Sequence, residues 1–161
     1  MPERTPPLTV SEAVAARYSC CAFLPDPVDP ALIRDILERA LRSPSGGNLQ
    51  PWFVDVLAGE SLARFLSAIV EKRAASPRGE GEEYSVYPRP VPEPWEARRF
   101  AVGEDLYASI GVARADRPAR LRQFFKNYEF FGAPAALFVS IDRRMGPPQW
   151  TDMGMFLQTL L

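Results

Sequence analysis

Histidine is absent from this chain, and cysteine occurs only as the adjacent pair Cys20 and Cys21. Without histidine there is no Ser-His-Asp or Cys-His catalysis. Two sulfurs with no imidazole beside them do not make a structural zinc site, which takes four Cys or His ligands. Neighbouring cysteines bridge only under strain, because relaxed disulfides hold their Cα atoms about 5.5 Å apart. No structural disulfide is expected. An excess of one charge is missing too: 19 Lys and Arg stand against 20 Asp and Glu. Nucleic acid and anionic membranes both call for a basic excess, so neither is expected as a partner. No apolar run approaches the roughly 20 residues that span a bilayer. The opening MPERTPPLTV has no apolar h-region, so no secretory signal is expected and the predicted compartment is the cytoplasm. If the chain is an enzyme, a borrowed cofactor carries its chemistry.

What is present is ordinary for a folded domain. With 161 residues, 47% of them hydrophobic, the chain can build one domain with a core. Thr9 with Glu12 forms a capping-box signature for a short helix, roughly Val10 to Arg17. Asp29 as N-cap and Pro30 in the first turn open a second helix to about Leu41. Its apolar residues Leu32, Ile33, Ile36, Leu37, Ala40 and Leu41 recur at helical spacing. Trp52 to Ala58 has the composition of a strand, with its exit at Gly59. An amphipathic helix follows from Glu60 to Ala75.

Ser76 to Pro94 is rich in Pro and Gly and predicts a long surface excursion, either a solvated insertion or a lid. Pro94 to Val112 predicts a helix interrupted at Gly103. Asp116 and Pro118 open another helix, to about Phe131. Ala135 to Ile141 is a second strand, apolar enough to be buried on both faces. Gln149 begins a last helix that reaches Leu161 with no stop signal, which predicts a missing C-terminal part. Two strands far apart in sequence, with helices between them, give an α+β domain.

Two stretches could carry chemistry. Ser43 to Trp52, SPSGGNLQPW, lies between a helix and a strand. Ser43, Ser45, Asn48 and Gln50 offer neutral donors and acceptors, and Gly46 and Gly47 let a backbone come close to a flat ligand. Such a loop suits a heterocycle with carbonyl and imide edges; the same composition also makes an ordinary turn. The second stretch is RYSCCAF, Arg17 to Phe23. Arg17 and Ser19 can reach one anion together, since a guanidinium forks onto phosphate and a hydroxyl adds a hydrogen bond. Taken alone, such a pair is as common on any surface.

The order of these pieces is more specific than either. An R-x-S motif, an LPDPV turn, a helix and then SPSxxNxQPW running into a strand resembles the nitroreductase family of FMN enzymes. The likeness extends to FFGAPAALFVSID at Phe130 to Asp142 and WTDMGMFLQ at Trp150 to Gln158, with the middle of the chain matched loosely. The resemblance implies a nitroreductase-like central sheet flanked by helices. It also implies a domain-embraced homodimer with two FMN sites at the interface. Arg17 and Ser19 would hold the FMN phosphate and ribityl chain, with Tyr18 contributing through its backbone. Pro44, Ser45, Asn48 and Gln50 would line the flavin from the neighbouring subunit, and Asn127 would meet the ring edge. Cys21 stands where the family usually has Arg or Lys, which removes a second cation from the phosphate.

The chemistry implied is hydride transfer from NADH or NADPH to FMN, followed at the same place by electron transfer to a small aromatic acceptor such as a nitroaromatic or a quinone. No catalytic acid or base is required of the protein. Phe124 and Phe125 are the first candidates for the acceptor's pocket, with Tyr84, Tyr87 and Trp95 behind them. Arg89, Arg98 and Arg99 either meet an acidic substrate or form a solvated face. Same-fold dehalogenation or flavin fragmentation, and flavin sequestration without turnover, are the competing readings.

Overall fold

A computed structural model describes residues 8–76 and 79–161. Residues 1–7, used above to argue against a signal, and residues 77–78 of the excursion lie outside the described residues. The chain divides into two compact units. One is formed by the chain up to Gly59 together with Pro134–Leu161, the other by Glu60–Ala133.

In the first unit, helix α1 spans Val10–Ala16 and helix α2 spans Pro30–Ala40. The capping box of α1 is complete: Thr9 N donates to Glu12 Oε2 at 2.7 Å, and Glu12 N donates to Thr9 Oγ1 at 3.3 Å. Asp29 caps α2 by accepting from Ala31 N at 2.8 Å. Strand β1, Trp52–Ala58, pairs antiparallel with strand β2, Ala135–Ile141, in a register that runs from Trp52 opposite Ile141 to Ala58 opposite Ala135. Helix α6, Pro147–Leu160, packs on α2. It starts two residues before the expected Gln149, because prolines are well placed in a first turn whose N–H groups have no helical partner.

The core of this unit is small. Ala40, Trp52 and Phe156 are its buried centre, with Val54, Val139, Met153 and Leu160 packed around them. The Trp52 and Phe156 rings stack, their centroids 4.7 Å apart and their planes 16° apart. Strand β2 departs from expectation. Ala136 is buried, but Leu137 and Phe138 keep 38% and 40% of their surface exposed. Burial on both faces requires cover on both faces, and among the described residues β2 has β1 as its only strand neighbour.

In the second unit, helix α3 spans Gly59–Ala75, starting at the last residue of the first unit. The described part of the excursion that follows has no helix or strand, as expected. Helix α4, Trp95–Ser109, runs unbroken through Gly103. The expected interruption is absent, since one glycine costs a helix only about 1 kcal/mol. Helix α5, Arg117–Phe125, is capped by Asp116, which accepts from Ala119 N at 2.9 Å. It stops short of the expected Phe131. A 3-10 turn over Lys126–Gly132 takes its place, with Phe130 and Phe131 at φ of 48° and 53°. The Phe130 ring lies against Phe65, tilted by 33° with centroids 5.8 Å apart.

Glu104 and Arg120 tie α4 to α5 through two hydrogen bonds of 2.7 and 3.0 Å. Their hydrogen bonding holds the Glu104 carboxyl below the usual carboxylate range. A carboxylate depressed by folding stabilises the fold above its unfolded value and loses that contribution as pH falls through the folded one. Glu104→Gln should therefore lower the melting temperature at neutral pH, and the gap to the unsubstituted chain should close in acid. A gap that stays constant on acidification would contradict the ion pair's role. Among the described residues no helix is long and apolar enough to cross a membrane.

Candidate functional site

The loop between α2 and β1 begins with a locked corner. The buried Ser43 hydroxyl donates to Ala40 O at 2.7 Å, and Ser43 N reaches the same oxygen at 2.9 Å. These bonds satisfy a carbonyl that the end of a helix leaves open. A 3-10 turn over Gly46–Asn48 follows, closed by Asn48 N to Ser45 O at 3.0 Å and Leu49 N to Gly46 O at 3.2 Å. The backbone then takes left-handed dihedrals at three of four positions: Gly47 at φ 59°, Asn48 at 55° and Gln50 at 48°. Glycine takes this region freely, but Asn and especially Gln do so at a cost that concentrates at functional sites.

The strained backbone is held by side chains. Gln50 N donates to Ser45 Oγ at 3.0 Å, and Gln50 Nε2 donates to Asn48 Oδ1 at 2.9 Å. That last bond fixes how the two amides face outward. Asn48 keeps its NH2 group and Gln50 keeps its carbonyl, side by side and exposed. The pair thus presents one donor and one acceptor, the complement of a ring edge that carries a carbonyl next to an N–H. Beside the loop a groove of about 550 Å³ runs between Pro44 and the Thr151, Gly154, Met155 and Gln158 side of α6.

Asp152 was not singled out by sequence. It is buried, 4% exposed, on α6, and its Oδ1 accepts from Gly46 N at 3.2 Å across 106 positions of chain. A lone carboxylate in the apolar run WTDMGMFL was the available signal.

Arg17 ends α1, with its N–H bonded to Ala13 O at 3.1 Å. Its guanidinium, Tyr18 and Ser19 are exposed, and Arg17 makes no ion pair among the described residues. Cys20 and Cys21 are half-buried free thiols, Cys20 donating to Ala22 O at 2.9 Å. No hydrogen bond joins Arg17, Ser19 or Cys21 to the Ser43–Trp52 loop among the described residues. Both stretches belong to the first unit. In the second unit, Asn127 Nδ2 donates to Phe124 O at 2.7 Å and closes the end of α5. Phe124, Phe125 and Tyr128 line a cavity of about 510 Å³ with Lys72 and Arg73, the Arg73 guanidinium lying 3.9 Å from the Phe125 ring centre. Arg89 pairs with Glu82, and Arg99 with Glu96, so both are engaged by local carboxylates. Tyr84, Tyr87 and Trp95 are exposed.

The first unit thus holds a strained loop that presents neutral amides, and an arginine with no ion pair among the described residues. Residues 14–161 match the family model described as the nitroreductase family, and the chain belongs to that family. It is 33% identical over 152 residues to a nitrobenzene nitroreductase of Ectopseudomonas oleovorans, covering 94% of this chain and 67% of that one. It also matches the solved FMN and NADPH-dependent nitroreductase NfnB of Sphigopyxis sp. strain HMH, with 50% identity and a TM-score of 0.90 over 95% of this chain and 69% of that one. NfnB of Mycobacterium smegmatis, solved in complex with NADPH, gives 28% identity and a TM-score of 0.83, covering 93% and 67%. The chain spans about two thirds of the length of these relatives.

Proposed function

We propose that the chain is an FMN-dependent oxidoreductase, passing electrons from NADH or NADPH to a nitroaromatic, a quinone or a similar small acceptor. Donor and acceptor take turns at one place, a ping-pong sequence, in a cytoplasmic homodimer. The observation that carries this reading is the outward donor and acceptor pair of Asn48 and Gln50 on a left-handed backbone. An isoalloxazine edge, with its alternating carbonyls and N–H, fits that pair. Arg17 and Ser19 suit a phosphate, and the FMN and NADPH-dependent NfnB supports FMN as the cofactor.

FMN, when bound, supplies the electron exchange itself. The protein's share is placement: Asn48 and Gln50 hold the ring, Pro44 and Ser45 line it, and Arg17 with Ser19 and the Tyr18 backbone hold the phosphate. Fixed donors beside the ring also favour the negative charge it gains on reduction. Phe124 and Phe125, on the wall of their cavity, would face the acceptor, and Asn127 would meet the ring edge. The homodimer is supported by helix α1, which buries no residue and leaves Val10 and Val14 exposed, and by Leu32 and Ile36, exposed on α2. Apolar faces of this kind mark interfaces.

Purified chain should be yellow, or turn so on adding FMN, with absorption near about 370 and 450 nm from the oxidised ring. Anaerobic NADH or NADPH should bleach it, and a nitroaromatic should restore the colour. Light scattering should give the mass of two chains. A chain that takes up no FMN would end the reading, and a bound flavin that no nicotinamide bleaches would reduce it to sequestration.

A further inference from the structure

Asp152 is more than nine-tenths buried, yet only one of its oxygens is used. Oδ1 takes the Gly46 N–H, while Oδ2 has no hydrogen-bond partner among the described residues. A β-carbon placed on Gly46 would lie 3.9 Å from that oxygen, an ordinary contact. A carboxylate whose desolvation is repaid on one side only is a poor stabiliser of a fold. An isosteric leucine at this position would carry no such desolvation cost. A buried polar group kept at such a cost needs a reason other than stability.

The loop supplies the reason. Gly46 is the first residue of the turn that leads into the left-handed run at Gly47, Asn48 and Gln50. Its N–H lies at the open start of that turn, where no backbone carbonyl within the turn can serve it. The charged acceptor on α6 fixes this point, and α6 is itself anchored in the core through Phe156, one helical turn further on. The rigid helix thereby sets the position of a strained loop.

We infer that Asp152 is a positioning residue for the flavin: through Gly46 it holds the Ser45–Gln50 turn in the conformation that presents the Asn48 and Gln50 amides. This rests on the FMN reading above. Asp152 would act through the loop, by its bond to Gly46 N.

The experiment compares Asp152→Leu and Asp152→Asn in the full chain. FMN affinity is measured by quenching of flavin fluorescence, and protection of the Gly46 amide by hydrogen exchange in flavin-free protein. Leucine should leave the melting temperature unchanged or raise it, weaken FMN by about tenfold or more, as loss of one charge-assisted hydrogen bond does, and expose the Gly46 amide. Asparagine keeps an oxygen for Gly46 and should restore both affinity and protection. A leucine variant that binds FMN as the unsubstituted chain does, or an asparagine variant as weak as leucine, overturns the inference. If the leucine variant does not fold, Asp152→Ala takes its place with the same outcomes. If the unsubstituted chain binds no FMN, the flavin reading fails, and amide exchange alone still decides whether Asp152 sets the loop: equal protection in every variant would refute it.

Discussion

Phe156→Ala should be the most damaging single change in the first unit, lowering its stability by about 3–5 kcal/mol. Phe156 is fully buried, and its ring is one side of the stack on Trp52 that centres the core. Alanine would leave a cavity between α2, α6 and β1 and remove a stacked pair worth about 0.5–1.5 kcal/mol beyond its buried area. Domains of this size are stable by only about 5–15 kcal/mol, and here few residues share the work. Urea denaturation followed by tryptophan fluorescence measures the loss. Val70→Ala, at an exposed position of α3, should stay within about 0.5 kcal/mol. A Phe156→Ala chain as stable as that control would mean that the stack is not the centre of the core.

Arg17→Ala should weaken FMN by about 10- to 100-fold, the range of one lost charge-assisted hydrogen bond. Tyr18→Phe should leave affinity unchanged, because the ring is exposed and only the Tyr18 backbone is assigned to the phosphate. The effect should shrink as salt rises, since an exposed cation is screened. Cys21→Arg supplies the cation usual in the family and should strengthen binding several-fold. Isothermal titration with FMN, and with riboflavin, separates the causes. Riboflavin lacks the phosphate, so its affinity should not respond to either arginine substitution. Equal FMN affinities for the Arg17→Ala and Tyr18→Phe chains would remove the phosphate from Arg17.

Much of this organisation is written locally in the chain. Thr9 with Glu12, Asp29 with Pro30, and Asp116 with Pro118 mark three helix starts, because an N-cap works through residues two or three positions away. Both strands fall at their expected residues. The family was legible because motif order survives where single motifs are ambiguous. The misjudged features depend on packing. Gly103 was expected to break α4, but one weak helix former is overruled by its neighbours. The end of α5 moved because Phe130 and Phe131 adopt positive φ in a 3-10 turn, which no aromatic signals in a sequence. The exposure of β2 depends on what covers it, which strand composition does not reveal. Asp152 was overlooked because its partner Gly46 lies 106 residues away, and no local pattern joins them.

The strand pairing has a consequence for how such a chain can vary. Ala58 and Ala135 face each other across the ladder, so the polypeptide leaves the first unit and re-enters it at neighbouring backbone points. The 76 residues between them, 59–134, form one detour from a continuous sheet. Lengthening such a detour costs only a logarithmic closure entropy. The arc that carries Phe124 and Phe125 can therefore be lengthened between Ala58 and Ala135 while the Ser43–Trp52 turn and its α6 anchor are kept.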